Sequence, residues 1–392
     1  MPSTRLLLML CLLLTGCEPT PKALHPKTLI VGMDGVQLAQ YERLGEDTYL
    51  RTLHYGKAYT GGISGRASEQ RTLSGPGWIT LLTGVWANKH GVTSNDVSQR
   101  VDPAYPSLFK RLRQALPSAY ISLVSSWDPL NTALLLEDAQ GNDVRISGLA
   151  DAEVIQHTLK IINETSADFT FIQLDEPDQV GHRDGFGASY SQALKAADDR
   201  LGLLLQAIKK RSEQKRDEDW LVIVSTDHGR DAGGKDHGGA SEQEKTVFIA
   251  SNKPMNEELT EPSIPEDNPG PNNLYSYAAQ ASVAPTVLRH MGLTLLAQWK
   301  LDGTPLLGAT GVRKARAQEL NARLRWNSAS TADVTIYKNG QPTAQVPASA
   351  REWIDPAGMG QVNDYVLELD DTPAAVRIRP ASRPFIIEAV VY

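Results

Sequence analysis

The chain has 392 residues, 41% hydrophobic and 22% charged, enough apolar material for a large core with a second, smaller domain beside it. Its formal net charge is −7 and it has no basic run, which argues against nucleic acid as a partner, although a dication site could hold phosphate locally. Both cysteines, Cys11 and Cys17, lie near the N-terminus, so no internal disulfide is expected.

Arg5 followed by the apolar run Leu6 to Leu14 has the charge and length of a targeting segment, expected over 1–16. Nine apolar residues are too few to span a bilayer as a helix. Leu14-Thr15-Gly16-Cys17 resembles a bacterial lipobox. That resemblance implies a lipid on Cys17 and a periplasmic protein held on the membrane of a Gram-negative envelope. With Glu18 next, it implies the outer membrane. An uncleaved anchor or an ordinary secretory signal is the alternative. Residues 17–27, with three prolines between Glu18 and Lys27, read as a tether.

Thr28 to Met33 is an apolar run of strand length that ends at Asp34 and Gly35. A polar, glycine-rich loop from Gly61 to Arg71 leads into Thr72-Leu73-Ser74-Gly75-Pro76, where a hydroxyl precedes a proline able to open a helix. A hydroxyl there sits at the positive end of the helix dipole, where an alkoxide or phosphate is stabilised. Ser74 as a plain N-cap is the bland alternative, and Thr72 is the rival hydroxyl. The polar turn Lys89 to Asp96 contains Asn95, able to donate to an oxyanion. Helix from Pro106 to Leu116, strand from Tyr120 to Val124 and helix from Asp151 to Ile162 continue an alternation that predicts a mainly parallel sheet.

Phe169 to Leu174 is a second apolar run, closed by Asp175, Glu176, Pro177 and Asp178, with His182 four residues on. Tyr190, Leu194, Ala197, Leu201, Leu204, Leu205 and Ile208 form the stripe of an amphipathic helix. Trp220 to Thr226 is a third run, stopping at Asp227, His228 and Gly229, and His237 follows nine residues after His228. Thr246 to Ala250 is a short strand, and Pro254 to Pro271, with five prolines, an irregular segment of lid length. Ser282 to Met291 reads as a closing helix with His290 as packing. After Gly311 the pattern turns to short alternating strands at Ala322–Trp326, Asp333–Gly340, Asp364–Leu369 and Phe385–Val391, with a hairpin signal at Asn339-Gly340.

The expected fold is therefore α/β, a mainly parallel sheet flanked by helices over 28–310, with a small all-β sandwich of fibronectin or immunoglobulin type over 318–392. Acids and histidines delivered by three strand ends suit zinc better than magnesium or calcium, although other divalent metals are possible. Two metals would clamp the attacking and leaving oxygens of a displacement at phosphorus.

Asp34, the hydroxyl before Gly75-Pro76, Thr83-Gly84, His90-Gly91, Pro177-Asp178, Gly181-His182 and Asp227-His228-Gly229 together resemble the alkaline phosphatase superfamily. Within it they look most like the type I phosphodiesterase and nucleotide pyrophosphatase branch. The resemblance spans Lys27 to about Leu307. It implies two zinc ions, one held by Asp34, Ser74, Asp227 and His228, the other by Asp178, His182 and His237. Ser74 would be the nucleophile, forming a phosphoseryl intermediate, and Asn95 would steady a phosphate oxygen. The implied substrate is a small phosphodiester or pyrophosphate, a nucleotide among them. A phosphomonoesterase is the nearest alternative, and a non-catalytic envelope binding lipoprotein is the alternative from another class. Serine stands where the branch usually has threonine, and its third histidine usually lies much further along the chain than His237. In sulfatases an arginine follows two residues after the proline; Trp78 holds that place here.

Overall fold

The computed structural model describes residues 24–264, 268–318, 322–358 and 360–378. The expected targeting segment, Cys17, most of the tether and the strand expected at Phe385–Val391 lie outside the described residues.

β1 (His25–Met33) leads through α1 (Leu38–Glu42) to β2 (His54–Tyr59). Helices α2 (Ser74–Thr83), α3 (Ala87–His90) and α4 (Leu108–Ala115) follow, then β3 (Ile121–Ser125), β4 (Val144–Ile146), α5 (Asp151–Glu164) and β5 (Phe169–Leu174). Next come α6 (Glu176–Asp184), the long α7 (Ala188–Gln214), β6 (Glu218–Ser225), α8 (Glu242–Lys245) and β7 (Thr246–Ser251). The larger unit ends with α9 (Glu257–Thr260), β8 (Ala278–Ala279) and α10 (Val283–His290).

The eight strands form one sheet in the order β4-β3-β5-β1-β6-β7-β2-β8. Every neighbouring pair is parallel except those made by β7, which runs against both β6 and β2. Because side chains alternate across a strand, β1 sends Leu29, Val31 and Met33 to one face and Ile30 to the other. The first face is covered by α5 and by α7, whose Tyr190, Leu194, Ala197, Leu201, Leu204 and Ile208 are buried as the stripe predicts. The other is covered by α2, α4 and α10 through residues such as Trp78, Phe109 and Val287. Burial on both faces explains the continuous apolar runs of the central strands.

The structure departs from expectation at several elements. α2 begins at Ser74 itself, with Leu73 as the capping position, so Ser74 is the first helical residue rather than the cap and Pro76 lies within the first turn. Asp178 and His182 lie on a helix, α6, which Pro177 and Gly181 had masked in the sequence. The segment Pro254–Pro271 carries the short α9. His290 is a packing histidine as expected, with Nε2 near the Lys27 and Asp219 carbonyls.

The C-terminal unit begins with β9 (Arg313–Gln318), a polar strand absent from the expectation, followed by β10 (Arg323–Asn327), β11 (Asp333–Lys338) and β12 (Gln341–Pro347). β13 (Glu352–Ile354), β14 (Asn363–Leu369) and β15 (Thr372–Ile378) complete it. Two antiparallel sheets, β13-β10-β9 and β12-β11-β14-β15, share a core of Leu324, Trp326, Val334, Ile336, Tyr365 and Leu367. Asn339 and Gly340, both at positive φ (51° and 84°), make the tight turn between β11 and β12. Among the described residues no helix is long and apolar enough to cross a membrane.

Candidate metal centre and nucleophile

β1, β5 and β6 lie side by side, and their carboxyl ends deliver Asp34, α6 and Asp227-His228 to one place. Ser74 arrives from the other side, at the N-terminal turn of α2. Its Oγ lies 3.4 Å from Asp34 Oδ1 and 3.3 Å from His228 Nε2.

Each buried carboxylate is held by one oxygen and presents the other. Asp34 Oδ2 accepts from Trp78 Nε1 at 2.9 Å and Gln173 Nε2 at 3.0 Å, which turns Oδ1 toward Ser74 and His228. Asp227 Oδ1 accepts from the Gly35 amide at 3.1 Å. Its Oδ2 is buried, 3.2 Å from His228 Nε2, and has no hydrogen-bond partner among the described residues. Asp178 Oδ1 is bound by the Arg230 guanidinium, while Oδ2 lies 3.2 Å from His182 Nε2. Gly35, at φ +60°, has to be glycine, since a Cβ there would stand 2.3 Å from Asp178 Oδ1.

The three histidines follow one rule. Nδ1 of His228 faces the Gly229 carbonyl, Nδ1 of His182 the Lys235 carbonyl and Nδ1 of His237 the Thr72 carbonyl, each at 2.9 Å. Each Nδ1 therefore carries the proton, and each Nε2 turns its lone pair inward. His182 and His237 bring their Nε2 atoms to 3.0 Å of each other, and the His228 ring stacks on that of His237 at 3.7 Å.

Lone pairs converging on one another and on carboxylate oxygens repel unless a cation lies among them. Two groups have the geometry for one: Asp178, His182 and His237, and Asp34, Asp178 and His228, with ligand atoms within 4.8 Å of each other in each group. The donor set of carboxylate oxygen and neutral imidazole fits a zinc-like dication. The orphaned Asp227 Oδ2 fits the same requirement, because a buried anionic oxygen without a partner is costly.

The electrostatics point the same way. Burial, then the charges of Asp227 and Asp178, push the Asp34 carboxyl well above its ordinary range. Burial and Asp178 push Asp227 up to about 7. Burial takes His228 and His237 down to about 4. Asp178 is the exception: burial would raise it, but the His182 hydrogen bond and the charges of His228, Arg230 and His237 hold it low. His182, half-exposed, is raised mainly by its bond to Asp178, so proton and dication compete for Nε2.

All the residues expected at the site are thus brought together: Asp34, Ser74, Asp178, His182, Asp227, His228 and His237. Asp178 lies closer to both groups than a strict division into two ligand sets implies. Asn95 is beside them, its Oδ1 accepting the Gly75 amide at 2.7 Å, which leaves its amide nitrogen as the donor. Gln173, Trp78 as a partner of Asp34, and Arg230 were not anticipated. Gln173 is the one polar side chain within the β5 run Phe169–Leu174 besides Thr170, and that interruption was the available signal.

Residues 134–294 match the sequence model of the metalloenzyme superfamily, a stretch that carries Asp178, His182, Asp227, His228 and His237. No curated protein matches the chain in sequence. Among solved structures, a 2-O GAG sulfatase is similar over 90% of this chain and 84% of its own, with a TM-score of 0.50 and 11% identity. Murine ectonucleotide pyrophosphatase/phosphodiesterase 5 is similar over 69% of this chain and 96% of its own, with a TM-score of 0.48 and 12% identity. A TAB5 alkaline phosphatase is similar over 70% of this chain and 99% of its own, with a TM-score of 0.42 and 13% identity.

Proposed function

We propose that this chain is a two-metal phosphoesterase of the metalloenzyme superfamily, acting on phosphodiester or pyrophosphate bonds through Ser74. The observation that carries the reading is the placement of Ser74 Oγ at the start of α2, 3.4 Å from Asp34 Oδ1 and 3.3 Å from His228 Nε2, beside a second ligand group. Dications held by Asp34, Asp227 and His228 and by Asp178, His182 and His237 would supply the charge that favours a serine alkoxide and offsets charge on the phosphoryl oxygens.

Ser74 Oγ, its proton released to solvent, attacks phosphorus as the bond to the leaving oxygen breaks, and the leaving group takes a proton from solvent. Water then attacks the phosphoseryl ester, its proton returns to Ser74 Oγ, and phosphate or a phosphate monoester departs. The Asn95 amide donates to a phosphoryl oxygen, and the α2 N-terminus favours the negative charge. A diester fits better than a monoester: the buried Arg230 guanidinium is committed to Asp178, and the polar group meeting the start of α2 is the uncharged Asn95.

Purified protein loaded with zinc should hydrolyse bis-p-nitrophenyl phosphate faster than p-nitrophenyl phosphate, and p-nitrophenyl sulfate least. Ser74→Ala should lower the diester rate by about 10³-fold or more while the metals stay bound. A faster monoester rate would transfer the protein to the phosphomonoesterases, and a faster sulfate rate to the sulfatases. No turnover of any of the three, with less than one metal per chain, would leave the envelope-binding alternative.

A further inference from the structure

Arg230 is fully buried and has no place among the expected ligands. Its guanidinium is engaged on every side. Nη1 binds Asp178 Oδ1, Nε donates to the Gly234 carbonyl at 2.7 Å, and Nη2 donates to the Lys235 carbonyl at 3.2 Å. Its own amide donates to Gln37 Oε1 at 2.8 Å.

These contacts connect Arg230 to all three members of one ligand group. Asp178 is bound directly. The Lys235 carbonyl that receives Nη2 is the one that receives His182 Nδ1, so Arg230 and His182 share an anchor. Gly234 and Lys235 belong to the loop that runs on to His237, whose ring Nδ1 is fixed in turn by the Thr72 carbonyl. The slot itself is shaped for a flat guanidinium. A Cβ at Gly181 would lie 2.5 Å from Arg230 Cζ and Nε, and one at Gly35 would lie 2.7 Å from Nη1.

We infer that Arg230 is a positioning residue for the Asp178–His182–His237 metal site: it binds Asp178 Oδ1 and so fixes the carboxylate with Oδ2 toward His182, and it pins the loop that brings His237 to face His182. A lysine could supply the charge but not the fork that holds Asp178 and two carbonyls at once. Residues that orient ligands in this way usually change metal affinity by about 10- to 100-fold when replaced. The Ser74 side has further supports in Trp78, Gln173 and the Gly35 amide, so, although Asp178 also stands in the group with Asp34 and His228, the effect should fall mainly on the Asp178–His182–His237 site.

The inference rests on the two-metal reading above, and the test separates the two. Zinc stoichiometry by elemental analysis and affinities by titration calorimetry are measured on the wild type, Arg230→Gln, Arg230→Lys and Gly181→Ala. Fewer than two zinc ions on the wild type defeats the two-metal reading itself. With two on the wild type, the expected result is one zinc site weakened by about 10- to 100-fold in Arg230→Gln and Arg230→Lys, the other weakened much less. Gly181→Ala keeps the charge and crowds the guanidinium, and it should give the same selective loss, which also serves if Arg230→Gln does not fold. Two sites of wild-type affinity in the variants, or equal weakening of both, would overturn the inference.

Discussion

Asp34 can offer Oδ1 to Ser74 because Trp78 and Gln173 occupy Oδ2. The indole is therefore a working part of the site as well as of the core. Trp78→Phe keeps an aromatic ring in that core and removes only the N–H donor; the expected cost is about 1.5–3 kcal/mol of stability, the range for a hydrogen bond to a charged group. Metal affinity on the Ser74 side should fall by about 10-fold or more. Denaturant unfolding and zinc titration check both, and a variant with unchanged zinc affinity would show that Gln173 alone orients Asp34. Trp78 could not have been assigned this role from sequence, because an aromatic in an apolar helix reads as core. Asp34, Asp227 and His228 were legible for the opposite reason: ionisable residues that end a buried strand have to be used for something, and Asp178 was legible from its place just beyond β5, four residues before His182. Arg230 was not, since an arginine after glycine in a loop ordinarily faces solvent, and only the fold reveals that α6 closes over it.

The C-terminal half of α2 is fixed by a polar knot joining it to α3. His90 Nδ1 accepts from the Val92 amide at 3.1 Å, so its proton is on Nε2, which faces Thr80 Oγ1 at 3.0 Å. Gln70 ties the same Thr80 hydroxyl to the Ala87 amide. Burial pushes the His90 pKa from 6.5 down to about 3. The folded state resists a proton that the unfolded chain accepts below about 6.5, so the contribution of His90 is present above that pH and is lost as pH falls toward about 3. Between pH 7 and pH 5 the wild type should lose about 2 kcal/mol more than His90→Asn. Urea unfolding of chelator-treated protein at the two pH values measures it, and equal losses in both proteins would dismiss the assignment. Strands and helices were legible wherever local pattern decides them, as in β1, β5, β6 and α7. β2 was not, because His-Tyr-Gly-Lys-Ala-Tyr carries no alternation, and it becomes a strand by pairing with β7, almost two hundred positions later. The antiparallel sense of β7 was hidden for the same reason: direction belongs to the pair of strands, not to either one.

At the scale of the whole molecule the sandwich is tied to the α/β unit by ion pairs and hydrogen bonds. Glu258 on α9 takes Arg313 Nε at 2.6 Å and Lys314 Nζ at 3.0 Å from β9, and Lys314 also donates to the Tyr277 carbonyl at 2.6 Å. Lys300 reaches Asp364 at 2.6 Å, and the Ala375 amide reaches the Leu301 carbonyl at 3.1 Å. Between these ties lies a cavity of about 220 Å³, walled by Tyr59, Trp86 and Tyr275 on one side and Lys314, Ala317 and Val376 on the other. Glu258 is buried with two cations against it, so taking it away leaves Lys314 buried without its charge partner. Loss of one partner of a buried pair costs about 3–5 kcal/mol, more than the pair itself contributes. Two units joined in this way should melt together. Calorimetry on the full chain is expected to show one transition whose calorimetric and van't Hoff enthalpies agree, and Glu258→Ala should lower that single midpoint by several degrees. Two resolved transitions, with Glu258→Ala moving only the smaller, would instead make the sandwich an independently folding module whose charges merely touch the α/β unit.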